Sequence, residues 1–367
     1  SRRRHTRYPL VTGVQTCPLP ISLENRAIPS VIDGFKPTAR KIIFIADRVW
    51  KNGSEKPLKI FQLGGRIASE AHYHHGDGSL NGAIIGMAQS FKNSLPLLEE
   101  IGQFGSLRSP EAGAPRYIST KLTKNFRLLY KDFELLENQI EEGNEIEPKF
   151  FLPIIPTVLL NGSSGIAVGF ATNILNRNPL DLVDACLKVL DGKKVGKLLP
   201  WWKEYSGPVE QITGTNQYTM RGQYRVANTT TVEISELPPS ITFQKYEAHL
   251  NSLQDRGIIF SYDDNSSDGI NYTLKFSRAT LADLIAKDRL DQTLKMVETE
   301  TENLTCLDER GKLIIFDNIP QVVEYFVKFR SSFYAKRKAY LIGKYFWRRL
   351  RPYRALVILK KRSVRWR

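Results

Sequence analysis

Cysteine is scarce: Cys17, Cys186 and Cys306 are the only three in 367 residues. An odd number at such spacing excludes a disulfide framework and any CxxC metal or redox site, and so points to a reducing, cytoplasmic setting. Long apolar runs are missing too. The longest, "FFLPIIPTVLL" at 150–160, is broken by prolines and falls short of the roughly 20 residues that a membrane-spanning helix needs, so no membrane partner is expected. Acids are absent from both ends. Residues 1–21 carry Arg2, Arg3, Arg4 and Arg7, and residues 345–367 carry nine Lys or Arg, with no Asp or Glu in either stretch. The net charge of +15 is therefore local. With those thirteen cations set aside, 40 basic and 38 acidic residues remain, so charge alone does not identify a polyanionic partner.

Two further absences concern chemistry. "NGSSGIAVG" (161–169) has the glycines of a phosphate-cradling loop but not the Gly-Lys-Ser/Thr, which argues against a nucleotide site. It reads as a tight loop, with Ile166 set between glycines as a candidate apolar wedge. Three of the five histidines fall in "HYHHGD", beside Asp77, yet the adjacent His74 and His75 cannot reproduce an i, i+4 ligand pair, and only His249 follows. No metal site is expected. Phosphate contact or helix-entry capping is one reading of this turn, and a satisfied structural turn is the other.

What is present is mostly helix, then strand, then helix. In "RAIPSVIDGFKPTARKIIFIADRVWK" Pro37 suits a helix N1 position, and Ile42, Ile43, Ala46 and Val49 share one face, leaving Arg40 and Lys41 near the helix start. Helices over 57–71 and 78–91, joined by the histidine turn, are compatible with a helix-turn-helix. A helix at 178–192 precedes a strand-rich stretch from about 205 to 278. Further helices are read at 279–295 and 319–346, the latter with Val323, Phe326, Phe329 and Phe333 at helical spacing. Both ends lie outside this pattern: 1–21 reads as a non-native or disordered leader, and 347–367 as a basic tail whose loss of pattern a frameshift would explain.

One residue pair stands out chemically. "EAGAPRYIST" (111–120) sets Arg116 beside Tyr117 in a segment built of Gly, Ala, Pro and Ser, with little around it to pack against. A surface cation–π pair is the plain interpretation. The chemical one is a tyrosine nucleophile with a cation that favours the phenolate and stabilises charge on a phosphoryl group in transfer.

Taken in order, "ENRAIPSVIDGFKPTARK", "YHHGDGSL", "IGQFGS", "APRYIST", "LLNGSSGIAVGFATNI" and "ITFQKYEAHLNSL" resemble the breakage-reunion region of type IIA DNA topoisomerases. The match runs from about Leu23 to Tyr345. Its wording is most similar to the eukaryotic and large-phage branch, including the separate medium subunits of T4-like phages.

The resemblance implies an α+β fold: a winged-helix DNA-gate domain at 23–150, a mixed α/β tower domain at 151–318, and the start of a coiled-coil arm at 319–346. It implies that Tyr117 is the nucleophile that links to a DNA 5′-phosphate, that Arg116 stabilises the pentavalent phosphorus, and that His75 lies near the scissile phosphate. DNA contacts would come from Arg26, Lys36, Arg40, Lys41 and His74, with Ile166 wedged between base steps. No "EGDSA" segment and no GHKL ATPase motif is present. Mg²⁺ and ATP would therefore be held by a large ATPase/Toprim partner, on a homodimeric core bound to double-stranded DNA in a bacterial or phage-infected cytoplasm. Thr38 and Ala39 depart from the family's usual residues after "KP". Gly78 and Gly82 stand where quinolone-sensitive enzymes carry Ser and an acid, which implies a weak quinolone response. The other reading is a non-catalytic winged-helix DNA-binding or architectural protein, or an inactive truncated fragment.

Overall fold

The computed structural model describes residues 27–51, 56–167, 169–267 and 269–363, with side chains as far as Phe346. The leader at 1–21 and Arg26 lie outside the described residues.

Helix α1 (Pro37–Trp50) begins at the proline, whose missing N–H is no loss in a first turn. It buries Ile42, Ile43, Ile45 and Ala46 completely; each large aliphatic chain so buried contributes roughly 1.5–3 kcal/mol relative to exposure. Strand β1 (Leu58–Lys59) leads directly into α2 (Ile60–Glu70), and the histidine turn leads into α3 (Asp77–Ala88). Leu63 and Ile67 of α2 and Leu80 and Ile84 of α3 are buried in the same core as α1. Strand β2 (Ser119–Thr120) returns to pair antiparallel with β1.

After α4 (Lys124–Leu129) come the hairpin β3 (Asn138–Glu141) and β4 (Asn144–Pro148), then the short buried α5 (Thr157–Leu160). A second hairpin, β5 (Ser163–Ala167) with β6 (Phe170–Ile174), precedes α6 (Pro179–Leu190). The Asn178 side chain caps α6 by accepting from Leu180 N, which satisfies one of the N–H groups left over at a helix start.

The boundary expected near residue 150 is not a break in the packing. One apolar core runs from Val31 through Leu160 to Cys186, then takes back Leu304, Cys306 and the stretch from Phe316 to Val327. The buried residues of a second core lie between Val232 and Met296, with Leu107 and Tyr224 packed against it. It is built on the sheet order β11-β12-β10-β9, with β9 (Gln223–Asn228), β10 (Thr231–Glu236), β11 (Ser261–Asp264) and β12 (Tyr272–Lys275), covered by α7 (Phe243–Asp255). A small three-stranded sheet pairs β8 (Gln217–Arg221) with β7 (Val209–Gln211) and β13 (Val297–Thr301).

Polar ties join these parts. Arg177 is fully buried; its Nη2 meets Glu302 Oε2 at 2.7 Å, and it donates to the carbonyls of Leu175, Asn176 and Leu198. Arg108 reaches across from the first unit to Asp264 and to the Ser266 carbonyl.

The last helix, Ile319–Ser363, is longer than its amphipathic pattern. Val323, Phe326 and Phe333 are buried, and the Phe329 ring meets Phe150 edge-on at 5.3 Å. The apolar pattern stops where the helix leaves the core, but the helical backbone continues past Pro352. Among the described residues no helix is long and apolar enough to cross a membrane.

Candidate functional site

Tyr117 is held out to solvent by an immobilised backbone. Tyr117 closes a turn over 115–117 and is 69% exposed, while the next residue, Ile118, is buried in the core and anchors it. Tyr117 N donates to the Ala114 carbonyl (2.9 Å), Gly113 N to Gln103 O (2.8 Å), and Ser119 N to Ile101 O (2.9 Å). The start of α2 fixes the other side: Ile60 N donates to Ile118 O, Phe61 N to Pro115 O, and Lys59 Nζ to the Tyr117 carbonyl at 2.9 Å. The backbone of 113–119 is thus hydrogen-bonded to the 101–103 segment and to the start of α2. Arg116 is also exposed, with its guanidinium carbon 5.1 Å from the Tyr117 ring centroid, so both side chains can meet one ligand from solvent.

The histidine turn lies at the other end of α2. Tyr73 is buried as its anchor and meets the exposed His75 ring edge-on at 5.3 Å. Asp77 in the first turn of α3 suits the positive end of that helix. His74 Nε2 stands 3.7 Å from Glu141 and His72 Nδ1 3.6 Å from Glu142, both on the β3–β4 hairpin.

Two of the cations expected to meet DNA turn inward. Arg40 is 8% exposed, and its Nε and Nη2 are bonded to Asp33 at 2.9 and 3.1 Å, with a further bond from Nη2 to the Phe35 carbonyl. Its fork is already occupied, so Arg40 is a structural clasp. Lys41 Nζ donates to the Ala71 carbonyl (2.5 Å) and to Glu147 (3.1 Å), and approaches Glu141 at 3.8 Å. Burial pushes the Glu147 carboxyl above its usual range, opposed by Lys41. Lys36 donates to the Ser164 carbonyl at 2.7 Å, and burial lowers its pKa. It clamps the hairpin that presents Ile166, whose side chain is 88% exposed. Beside it, Gly165 lies so near the Ala27 carbonyl that a Cβ would come within 2.1 Å.

Lys59, which holds the Tyr117 carbonyl, and Asp33, which organises Arg40, were not among the expected site residues. Gln62, three residues on and bonded to Lys59 N, is the capping signal that marks Lys59 as a helix start. Among the described residues no group of three or more His, Cys, Asp or Glu could hold a metal ion.

Comparison with known proteins identifies the family and the fold. The family model for the A-type subunits of DNA gyrase/topoisomerase IV matches residues 26–361. The DNA topoisomerase medium subunit of Enterobacteria phage T4 is 37% identical over 320 residues, covering 86% of this chain and 72% of that protein. The mitochondrial DNA topoisomerase 2 of Dictyostelium discoideum is 34% identical over 327 residues, covering 86% of this chain but 25% of that longer protein. The solved DNA-binding, cleavage and re-ligation domain of Plasmodium falciparum topoisomerase II superimposes with a TM-score of 0.84 at 33% identity, covering 90% of this chain and 46% of that one. With its mixed α/β fold and its sequence both matched over most of its length, the chain belongs to the family of DNA gyrase/topoisomerase IV A-type subunits.

Proposed function

We propose that this chain is the DNA-cleaving and religating part of an ATP-dependent type IIA topoisomerase, with Tyr117 as its nucleophile. The observation that carries this reading is an exposed phenol on a pinned backbone, with a guanidinium beside its ring. Tyr117 Oη attacks the phosphorus of a phosphodiester, and the bond to the 3′-oxygen breaks. The phenolic proton is lost, the 3′-oxygen leaves as a hydroxyl after taking up a proton, and the 5′-phosphate stays esterified to tyrosine. Religation is the reverse attack, so no bond energy is lost. Arg116 supplies positive charge where the phosphoryl oxygens gain negative charge in the transition state.

On this reading α1 to α3 with β1 and β2 form the winged-helix gate, the part built on the second core is the tower, and the last helix begins the coiled-coil arm. Mg²⁺, which supplies charge at the phosphate when bound, finds no fitting carboxylate cluster among the described residues. It is therefore assigned, with ATP, to a Toprim- and ATPase-bearing partner. The test is to mix the chain with such a partner, Mg²⁺ and supercoiled DNA, quench with detergent, and look for protein on 5′ ends. Absence of adduct sinks the reading.

A single chain does not bring Tyr117 and His75 together. The eleven residues of α2 separate them, about 15 Å of helix. A two-fold partner would supply the missing half, so we expect each site to combine Tyr117 of one protomer with His75 of the other. A heterodimer of Tyr117→Phe with His75→Ala should then keep one intact site and nick one strand. If both residues of a site came from the same chain, it would cut neither.

Ile166, at a hairpin clamped by Lys36, has the placement of an intercalating wedge. Ile166→Ala should reduce DNA bending, read by end-to-end energy transfer, and weaken duplex binding by about tenfold, since the apolar burial it gains between bases is lost. Unchanged bending would remove Ile166 from this role.

A further inference from the structure

Helix α2 opens on a residue that its own stability disfavours. Helix starts prefer Ser, Thr, Asp or Asn, whose oxygens accept from the free N–H groups of the first turn, and the positive end of the helix dipole repels cations. Lys59 stands there instead, and the first turn that follows holds no acid to balance it. A local rule broken without a gain to the fold is the mark of a functional position.

The Lys59 side chain reaches the turn that carries Tyr117. Ile60 N and Phe61 N, groups normally left over at a helix start, donate to the carbonyls of Ile118 (3.1 Å) and Pro115 (3.2 Å). Those two bonds are made by backbone alone, so they survive any substitution that keeps the helix. The Tyr117 carbonyl is held differently: it accepts from Lys59 Nζ at 2.9 Å. Tyr117 N is bonded to Ala114 O (2.9 Å), and Lys59 is itself fixed by pairing with Ser119. Both peptide planes that set the direction of the Tyr117 Cα–Cβ bond are therefore restrained, one by backbone and the other by a side chain.

We propose that Lys59 is a positioning residue for cleavage: its ammonium holds the Tyr117 carbonyl so that the exposed phenol meets the phosphodiester in line. It makes no bond to the reacting atoms. The inference rests on the proposed role of Tyr117 and names what aims that nucleophile. Because the tie puts a cation where the helix favours an oxygen, stability and activity are set against each other at this position.

The test is single-turnover cleavage by the full chain with a Toprim-bearing partner, Mg²⁺ and a saturating labelled duplex, read as protein on 5′ ends. Duplex affinity across salt and the melting temperature of the chain are measured beside it. Lys59→Met keeps the length of the side chain but loses the donor. It should cleave about 10- to 100-fold more slowly, since a misplacement of about 1 Å suffices for that loss, while its melting temperature stays within about 2 °C of wild type or rises. Lys59→Arg keeps a charged donor and should recover the rate to within about fivefold of wild type. Weaker duplex binding with an unchanged saturating rate would make Lys59 a phosphate contact and overturn the proposal. A melting temperature lowered by more than about 5 °C in Lys59→Met, or no recovery in Lys59→Arg, overturns it as well. All of these leave Tyr117 as the nucleophile. If the wild-type assembly forms no adduct, both readings fall together.

Discussion

Tyr117→Phe, assembled with a Toprim-bearing partner, Mg²⁺ and supercoiled DNA, is expected to give no detectable protein–DNA adduct, a loss of at least about a thousandfold. Duplex affinity should stay within about twofold, because phosphate contacts dominate affinity and the phenol is one group among many. The substitution removes a single oxygen from an exposed ring, so the fold is not at risk. Ile118, Ser119 and Lys59 hold the backbone through contacts that do not involve the phenol. Arg116→Ala should lower cleavage by about a hundred- to thousandfold, the usual cost of removing one preorganised donor from a transition state. Arg116→Lys should recover part of this, since charge is kept but the planar fork is lost. Equal adduct from Tyr117→Phe and wild type would end the case for this residue as the nucleophile.

Asp33→Ala is expected to destabilise the first core by about 3–5 kcal/mol, the cost of stranding a buried charge whose partner is removed. The Asp33 carboxylate is inaccessible to solvent and accepts from Arg40 Nε and Nη2, from Phe35 N and from Phe151 N, the last two at 3.0 Å. Its carbonyl accepts from Tyr130 Oη (3.1 Å) and Thr157 Oγ1 (2.7 Å). One residue thus ties α1 to three segments about a hundred residues away. Differential scanning calorimetry should show the transition of this core lowered by about 10 °C. Arg40→Met combined with Asp33→Leu should cost less than Asp33→Ala alone, because no uncompensated charge remains. If the double variant is the worse of the two, the account of Arg40 as a clasp is wrong.

That clasp marks where the sequence stops being legible. Periodicity places Arg40 and Lys41 at the start of α1, and they are there, but periodicity specifies an angle around a helix and not a partner. Asp33 is seven residues away and would be hard to choose among nearby acids. Glu141 and Glu147 are about a hundred residues away, and only the fold brings their hairpin onto the histidine turn. The same limit applies to the last helix, whose side-chain pattern reports contact with the core and so ends before the backbone helix does. The first core likewise closes over residue 150, because Leu304 to Val327 return to a surface that no local pattern describes.

The sequence by itself determined the helices around the histidine turn, the strand-rich middle, and the family, the last through six ordered motifs whose joint occurrence is far more specific than any one. It also singled out Arg116 and Tyr117, since a small-residue stretch gives an aromatic side chain little to pack against. Tertiary structure decided which of the expected cations face outward and which are spent inside, that the turn carrying Tyr117 is bonded to the start of α2, and that Tyr117 and His75 stand at opposite ends of α2. The physical reason is the range of the forces involved. Helix periodicity and capping act over three or four residues and are written locally, whereas the pairing of buried charges and the closing of a core depend on segments that meet only after the chain has folded.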